Sequence, residues 1–185
     1  MAFEFSDVLF ENEPENMGGF NQILFFAPIR DIATFPTLVS NPSTNDEAAE
    51  LQGDFVFKPG KKFNQIYTSP ETIKLEPEVQ GEHDGKSFKV KGEFFVPGTK
   101  NDVVALCRKL ANARGVLLLQ DPNSGEMICV GTENLPAYFT PKLSHGQKHA
   151  DRRGATVEFE SDSFIPGMKY AGTIPLDPAD EESGS

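Results

Sequence analysis

The sequence predicts a mainly β protein: a β-sandwich or partly open barrel with one α-helix packed on it and a long extended loop. Three observations lead there. Several short segments alternate apolar and polar residues with the period of two that a half-buried strand requires. Only residues 101–114 carry apolar side chains at helical spacing. The 16 glycines and 14 prolines among 185 residues supply the turns that a many-stranded chain needs.

A chain of this length buries roughly 70% of its unfolded surface, enough for one core. A single β-rich domain is expected over residues 18–176, between an acidic N-terminal arm at 1–17 and an acidic tail at 177–185, both expected to be flexible. The first strand is "GGFNQILFFAPI". Phe20, Leu24 and Phe26 share one face while Ile23, Phe25 and Ala27 share the other, so the strand is covered on both sides and Pro28 ends it. Residues 40–62 then read as the long loop or extended hairpin, because Pro42, Ser43, Thr44 and Asn45 break any period. "NQIYTSPETIKLEPEV" holds two short β patterns broken by Pro70.

The clearest strand follows in "GKSFKVKGEFFVPG", where Phe88, Val90, Gly92, Phe94 and Val96 alternate with Lys89, Lys91, Glu93 and Phe95. The helix of residues 101–114 has Asn101 or Thr99 to cap it, Asp102 in its first turn, and Arg108, Lys109 and Arg114 toward its end. Its stripe is Val103, Val104, Cys107, Leu110 and Ala111, with Gly115 as the stop. "VLLLQDPNSGEMICVG" is a hairpin turning through Asp121–Gly125. Residues 134–153 read as loop, after which "GATVEFES" and "MKYAGTIPL" supply the last strands.

The net charge of −11 sits mostly at the ends, which hold 9 of the 28 acidic residues. Between them the balance is nearly neutral, which argues against nucleic-acid binding, since affinity for the phosphate backbone comes from clustered Lys and Arg. Apolar runs such as "QILFFAPI" fall far short of the roughly 18 residues a membrane span needs. The first residues lack the basic start of a secretory leader. Cys107 and Cys129 form no metal or disulfide spacing and are expected as buried free thiols in a reducing compartment.

No stretch carries recognisable chemistry. His145 and His149 are separated by Gly146 in a loop and lack a third ligand. Glu82, His83 and Asp84 sit between Gly81 and Gly85, the composition of a turn. There is no nucleophile elbow, phosphate loop or dinucleotide fingerprint. The expectation is therefore no enzyme, no cofactor and no metal. His145, Lys148, His149, Arg152 and Arg153 make a basic cluster that suits either a solvated loop or contact with an acidic partner.

"MGGFNQILFFAPI" near the start and the closing "DRRGATVEFESDSFIPGMKYAG" resemble the texture of phage major tail proteins. With the β-rich pattern over residues 18–176, the chain is similar in architecture to the tube proteins of phage tails and of type VI secretion. The resemblance implies a virion structural protein made in host cytoplasm. Its copies would close into a hexameric ring, rings would stack with other tail proteins, and DNA would pass through without sequence-specific binding. It implies an inter-ring loop bearing Asn45, Asp46, Glu47, Glu50, Lys58, Lys61 and Lys62, and a lumen lined by Thr156, Glu158 and Glu160. The alternative is a ligand-binding β-sandwich of carbohydrate or adhesin type, which the absence of Trp disfavours.

Overall fold

Strand accounts for 43% of the described residues and helix for 11%, so the fold is mainly β, as the sequence predicts. The structure is a computed structural model and describes residues 18–179. The acidic arm at 1–17 and residues 180–185 of the tail lie outside the described residues.

The centre of the fold is β9 (Arg114–Gln120), whose run Val116–Leu119 is wholly buried. On one side it pairs antiparallel with β1 (Ile23–Pro28), Phe25 facing Leu118. On the other it pairs with β10 (Met127–Val130), and its first residues pair with β11 (Ala137–Ser144). An unbroken apolar run is what a strand with two covered faces requires. The β9–β10 hairpin turns through Asp121–Gly125, where Asp121 accepts from the Asn123 amide at 2.7 Å.

One face of β1 and β9 meets an outer sheet. There β11 pairs with β12 (Gly154–Ser163), β12 with β8 (Ser87–Pro97), and β8 with β7 (Lys74–Gln80), all antiparallel. Leu24, Phe26, Leu117 and Leu119 pack there against Val90, Phe94, Phe139, Val157 and Phe159. The Phe26 and Phe139 rings meet edge to face at 5.3 Å. The helix, Asn101–Leu110, closes this core with Val103, Leu106, Cys107 and Leu110.

The opposite face of β9 has its own core, and the segment after β1 covers it. A 3-10 turn (Ile29–Asp31) leads to β2 (Ile32–Thr34) and β3 (Thr37–Leu38). A five-residue helix α1 (Asn45–Ala49) then precedes β4 (Glu50–Gln52) and β5 (Val56–Phe57), and the ten-residue helix is therefore α2. β5 pairs with β2, while β4 lies between β3 and the parallel β13 (Met168–Tyr170), which continues the sheet from β10. Phe55 is the hub of this second core, its ring 5.3 Å from Phe63 and 5.0 Å from Tyr170. The Tyr170 hydroxyl donates to the Thr173 carbonyl at 2.6 Å and accepts from the Phe55 amide at 3.2 Å.

Residues 40–62, expected as a long loop or extended hairpin, hold the short strands β4 and β5 and pack closely on the sheet. Leu51, Phe55 and Phe57 are buried, because the second apolar face of β1 and β9 must be covered. Thr44 caps α1 by accepting from the Glu47 amide at 3.2 Å, and the Glu47 carboxylate returns to Ser43 at 2.7 Å.

Other expectations are corrected as well. α2 ends at Leu110 rather than near 114, and Gly115 lies in β9, where a Cβ would press on the Phe26 ring and the Ala27 carbonyl. The residue before the helix is Lys100, with no side-chain cap, and Val104 faces solvent outside the stripe. Residues 134–153, expected as loop, contain the eight-residue β11. Its Pro141 sits beyond Tyr138, where pairing with β9 has stopped, so the missing N–H can face an open edge.

Candidate functional site

The outer face of the β11–β12–β8–β7 sheet is polar apart from Tyr138 and Phe95, and the strand register sets its charge pattern. One cross-strand row is Tyr138, Glu160, Lys91 and Glu76; the next is Thr140, Glu158, Glu93 and Lys74. Asp162 and Lys89 continue the face toward the β7–β8 turn, and Lys142, Thr156 and Phe95 continue it the other way. Thr156, Glu158 and Glu160 thus share one outward face, with Glu158 and Glu160 exposed.

Three of its lysines, Lys74, Lys89 and Lys91, are already engaged. Lys91 reaches Glu78 at 2.8 Å, Lys74 reaches Glu76 at 3.0 Å, and Lys89 lies 3.7 Å from Glu160. The hydrogen bond to Glu78 raises the Lys91 pKa and lowers that of Glu78, and the bond to Glu76 raises Lys74. Glu93 and Glu158 instead face each other directly across two strands. Like charges so placed oppose pairing, so the middle of this face carries a local excess of negative charge.

Both flanks of this sheet are open among the described residues. β7 pairs only with β8, and β11 beyond Tyr138 pairs only with β12. Each edge carries a proline, Pro77 or Pro141, which removes one backbone donor.

The residues assigned to an inter-ring loop fall into two groups. Asn45, Asp46 and Glu47 lie on α1 and Glu50 opens β4, beside Lys169 of β13. Lys58, Lys61 and Lys62 lie in the turn between β5 and β6 (Asn64–Tyr67). Lys58 donates to the Arg30 carbonyl at 2.7 Å and Lys61 lies 3.9 Å from Asp31, which ties that turn to the body. The basic cluster is also divided. His145, Lys148 and His149 are exposed at the tip of the β11–β12 connection, which the Asp151 carboxylate braces by accepting from the Gln147 and Lys148 amides at 2.8 Å each. Those amides lower the Asp151 pKa. Arg152 and Arg153 fold back onto the end of β8, Arg152 over the Phe95 ring at 5.9 Å and Arg153 bonded to Thr99 at 3.0 Å.

Between α2 and β6 lies a groove of about 1160 Å³, which sequence reasoning missed. Phe26, Ile66, Val96, Leu106 and Leu110 floor it, while Arg30, Lys109 and Arg114 stand at its rim. β6 pairs only with β1 among the described residues, so its second edge borders the groove. Four elements distant in sequence meet here, and no local pattern announces that.

Cys129 is fully buried and its thiol is pushed far up in pKa by desolvation, while Cys107 is partly covered and raised by the same cause. Among the described residues no three His, Cys, Asp or Glu side chains gather as a metal set, and no helix is long and apolar enough to cross a membrane. No family model matches the chain, and no curated protein or solved structure matches it.

Proposed function

We propose that the chain is a self-assembling structural subunit of a phage tail tube, closing with its copies into a ring through which DNA passes, without catalysis. The observation that carries this reading is the outer sheet: one polar face, and an open edge on each flank. Four antiparallel strands place β7 and β11 in opposite directions, so β7 of one copy can continue antiparallel onto β11 of the next. Repeating that head-to-tail contact closes a ring and satisfies both edges. A staggered junction would bring Lys142 on β11 against Glu76 or Glu78 on β7, with Glu93, Glu158 and Glu160 lining the channel. Lysines already bound to glutamates leave a face that repels phosphate rather than gripping it.

Negative-stain microscopy and light scattering on concentrated protein test the reading. Rings or tubes are expected for the natural sequence, their loss in Lys142→Glu, and their return in Lys142→Glu combined with Glu76→Lys. A protein that stays monomeric under every salt condition defeats it.

A further inference from the structure

We infer that the open edge of β6 is a docking site for a second copy of this chain, the two β6 strands pairing antiparallel about a two-fold axis beside the groove that α2 lines. The register of β1 and β6 decides which backbone groups are on offer. Thr68 donates to the Gln22 carbonyl at 2.7 Å, so by alternation Ile66 bonds to Leu24 and Asn64 to Phe26. The N–H and C=O of Gln65 and Tyr67 therefore point away from β1, and among the described residues no strand pairs with them there. This window has fixed limits, because Phe63 donates to the Pro175 carbonyl on one side and Ser69 to the Phe95 carbonyl on the other. A two-fold axis centred on Ile66 sets Gln65 of each copy opposite Tyr67 of the other and makes four backbone hydrogen bonds. Ile66 then meets its own copy on the axis, in the close, non-hydrogen-bonded type of pair.

The charges along the groove suit that symmetry. α2 starts near the end of β6 where Ser69 reaches Phe95, and the chain after it arrives at Arg114, beside the pairing of Gly115 with Pro28. Asp102 lines the groove toward the first end, and Lys109, Arg114 and Arg30 line it toward the second. Asp102 and Lys109 stand two helical turns apart, about 10 Å, and neither has an ion-pair partner among the described residues. Asp31, also in the lining, is already shared by Arg30 at 3.8 Å and Lys61 at 3.9 Å, so the second end stays cationic. A two-fold rotation lays one groove end for end against the other. Asp102 of each copy is thereby brought toward Lys109 and Arg114 of its partner, whereas a parallel arrangement would set acid against acid.

The contact uses neither β7 nor β11 and goes beyond ring closure. A window of two residues per copy makes a small, weak interface, filled only at high concentration. Where rings form, it would join ring to ring; in a chain that cannot close a ring, it gives dimers.

Sedimentation velocity and hydrogen exchange on the full chain carrying Lys142→Glu test it. A monomer–dimer equilibrium is expected, with the amides of Gln65 and Tyr67 exchanging about tenfold more slowly as the dimer fills. Adding Asp102→Lys should weaken the dimer about tenfold, and adding Lys109→Asp to that variant should recover it, because the swapped charges again face each other. A chain that stays monomeric at its highest soluble concentration overturns the inference, as does a dimer indifferent to these charges. Amides of Gln65 and Tyr67 that are already slow in the dilute monomer also overturn it, since the edge would then be covered from within. A natural chain that forms this dimer and no ring defeats the ring reading alone.

Discussion

Gly92→Ala is a stringent test of the close packing of β7, β8 and β12 within the outer sheet. Gly92 lies in β8 directly opposite Phe159 of β12. A Cβ there would stand 2.8 Å from Phe159 Cε2, and nearer still to Phe159 Cζ and the Lys74 carbonyl oxygen. Ordinary carbon contacts need about 3.5–4.0 Å, so the ring must retreat by about 1 Å. Phe94 lies behind it at 6.1 Å between centroids, and the Lys74 oxygen belongs to a paired strand that cannot yield cheaply. Overpacking of this kind costs about 1–3 kcal/mol, and the lower entropy of the unfolded alanine chain returns about 0.4–1. One colliding atom is backbone, so a net loss of about 2 kcal/mol is expected, a fall in Tm of about 4–8 °C for a chain of this size. Urea denaturation measures the loss. Adding Phe159→Leu should recover part of the penalty, giving a coupling of about 1 kcal/mol. A neutral Gly92→Ala, or strictly additive changes, would refute the packing described.

Tyr170→Phe should cost about 1–3 kcal/mol, because it leaves the buried Phe55 amide without its acceptor. If residues 40–62 swung free as a loop, urea titration would find the change nearly neutral. Alkaline pH should destabilise the fold in two stages: burial raises both the Cys129 thiol and the Tyr170 hydroxyl, so the folded chain keeps protons the unfolded chain releases. Stability is complete below the unfolded thiol value of about 8.5 and falls as pH rises past it, then more steeply past about 10. Cys129→Val should remove most of the first stage in a denaturation series against pH, the partly covered Cys107 keeping a smaller part. Glu158→Gln relieves the repulsion opposite Glu93, so Tm should rise at low salt and the gain should vanish at high salt.

Elements with a strong period were legible from sequence alone. β1 showed two-sided burial, β9 showed as the apolar strand of a hairpin, and β12 showed an alternation that put Thr156, Glu158 and Glu160 on one polar face. What escaped was structure without a period. β3, β4 and β5 have two or three residues each, too few to alternate, so the second core looked like loop. Pro141 hid β11 because the cost of proline in a strand depends on whether its N–H side is paired, which only the topology decides. The site was half legible for the same reason. That Glu158 faces outward follows from its own strand, but that it faces Glu93 follows from register between segments more than sixty residues apart.

The open edges also bear on how assembly would proceed. Pro77 and Pro141 each withdraw a backbone donor, and the charged face beside them resists burial, so a single β7–β11 junction is weak. A head-to-tail chain of weak junctions gains most at closure, when the last contact forms without the entropy of bringing in another copy. Partial assemblies should therefore be scarce. Under the proposed arrangement, sedimentation velocity across a concentration series should resolve monomer and closed ring with almost nothing between. A graded ladder of dimers and trimers would mean that each junction is strong alone, and that some surface other than these two edges holds the copies together.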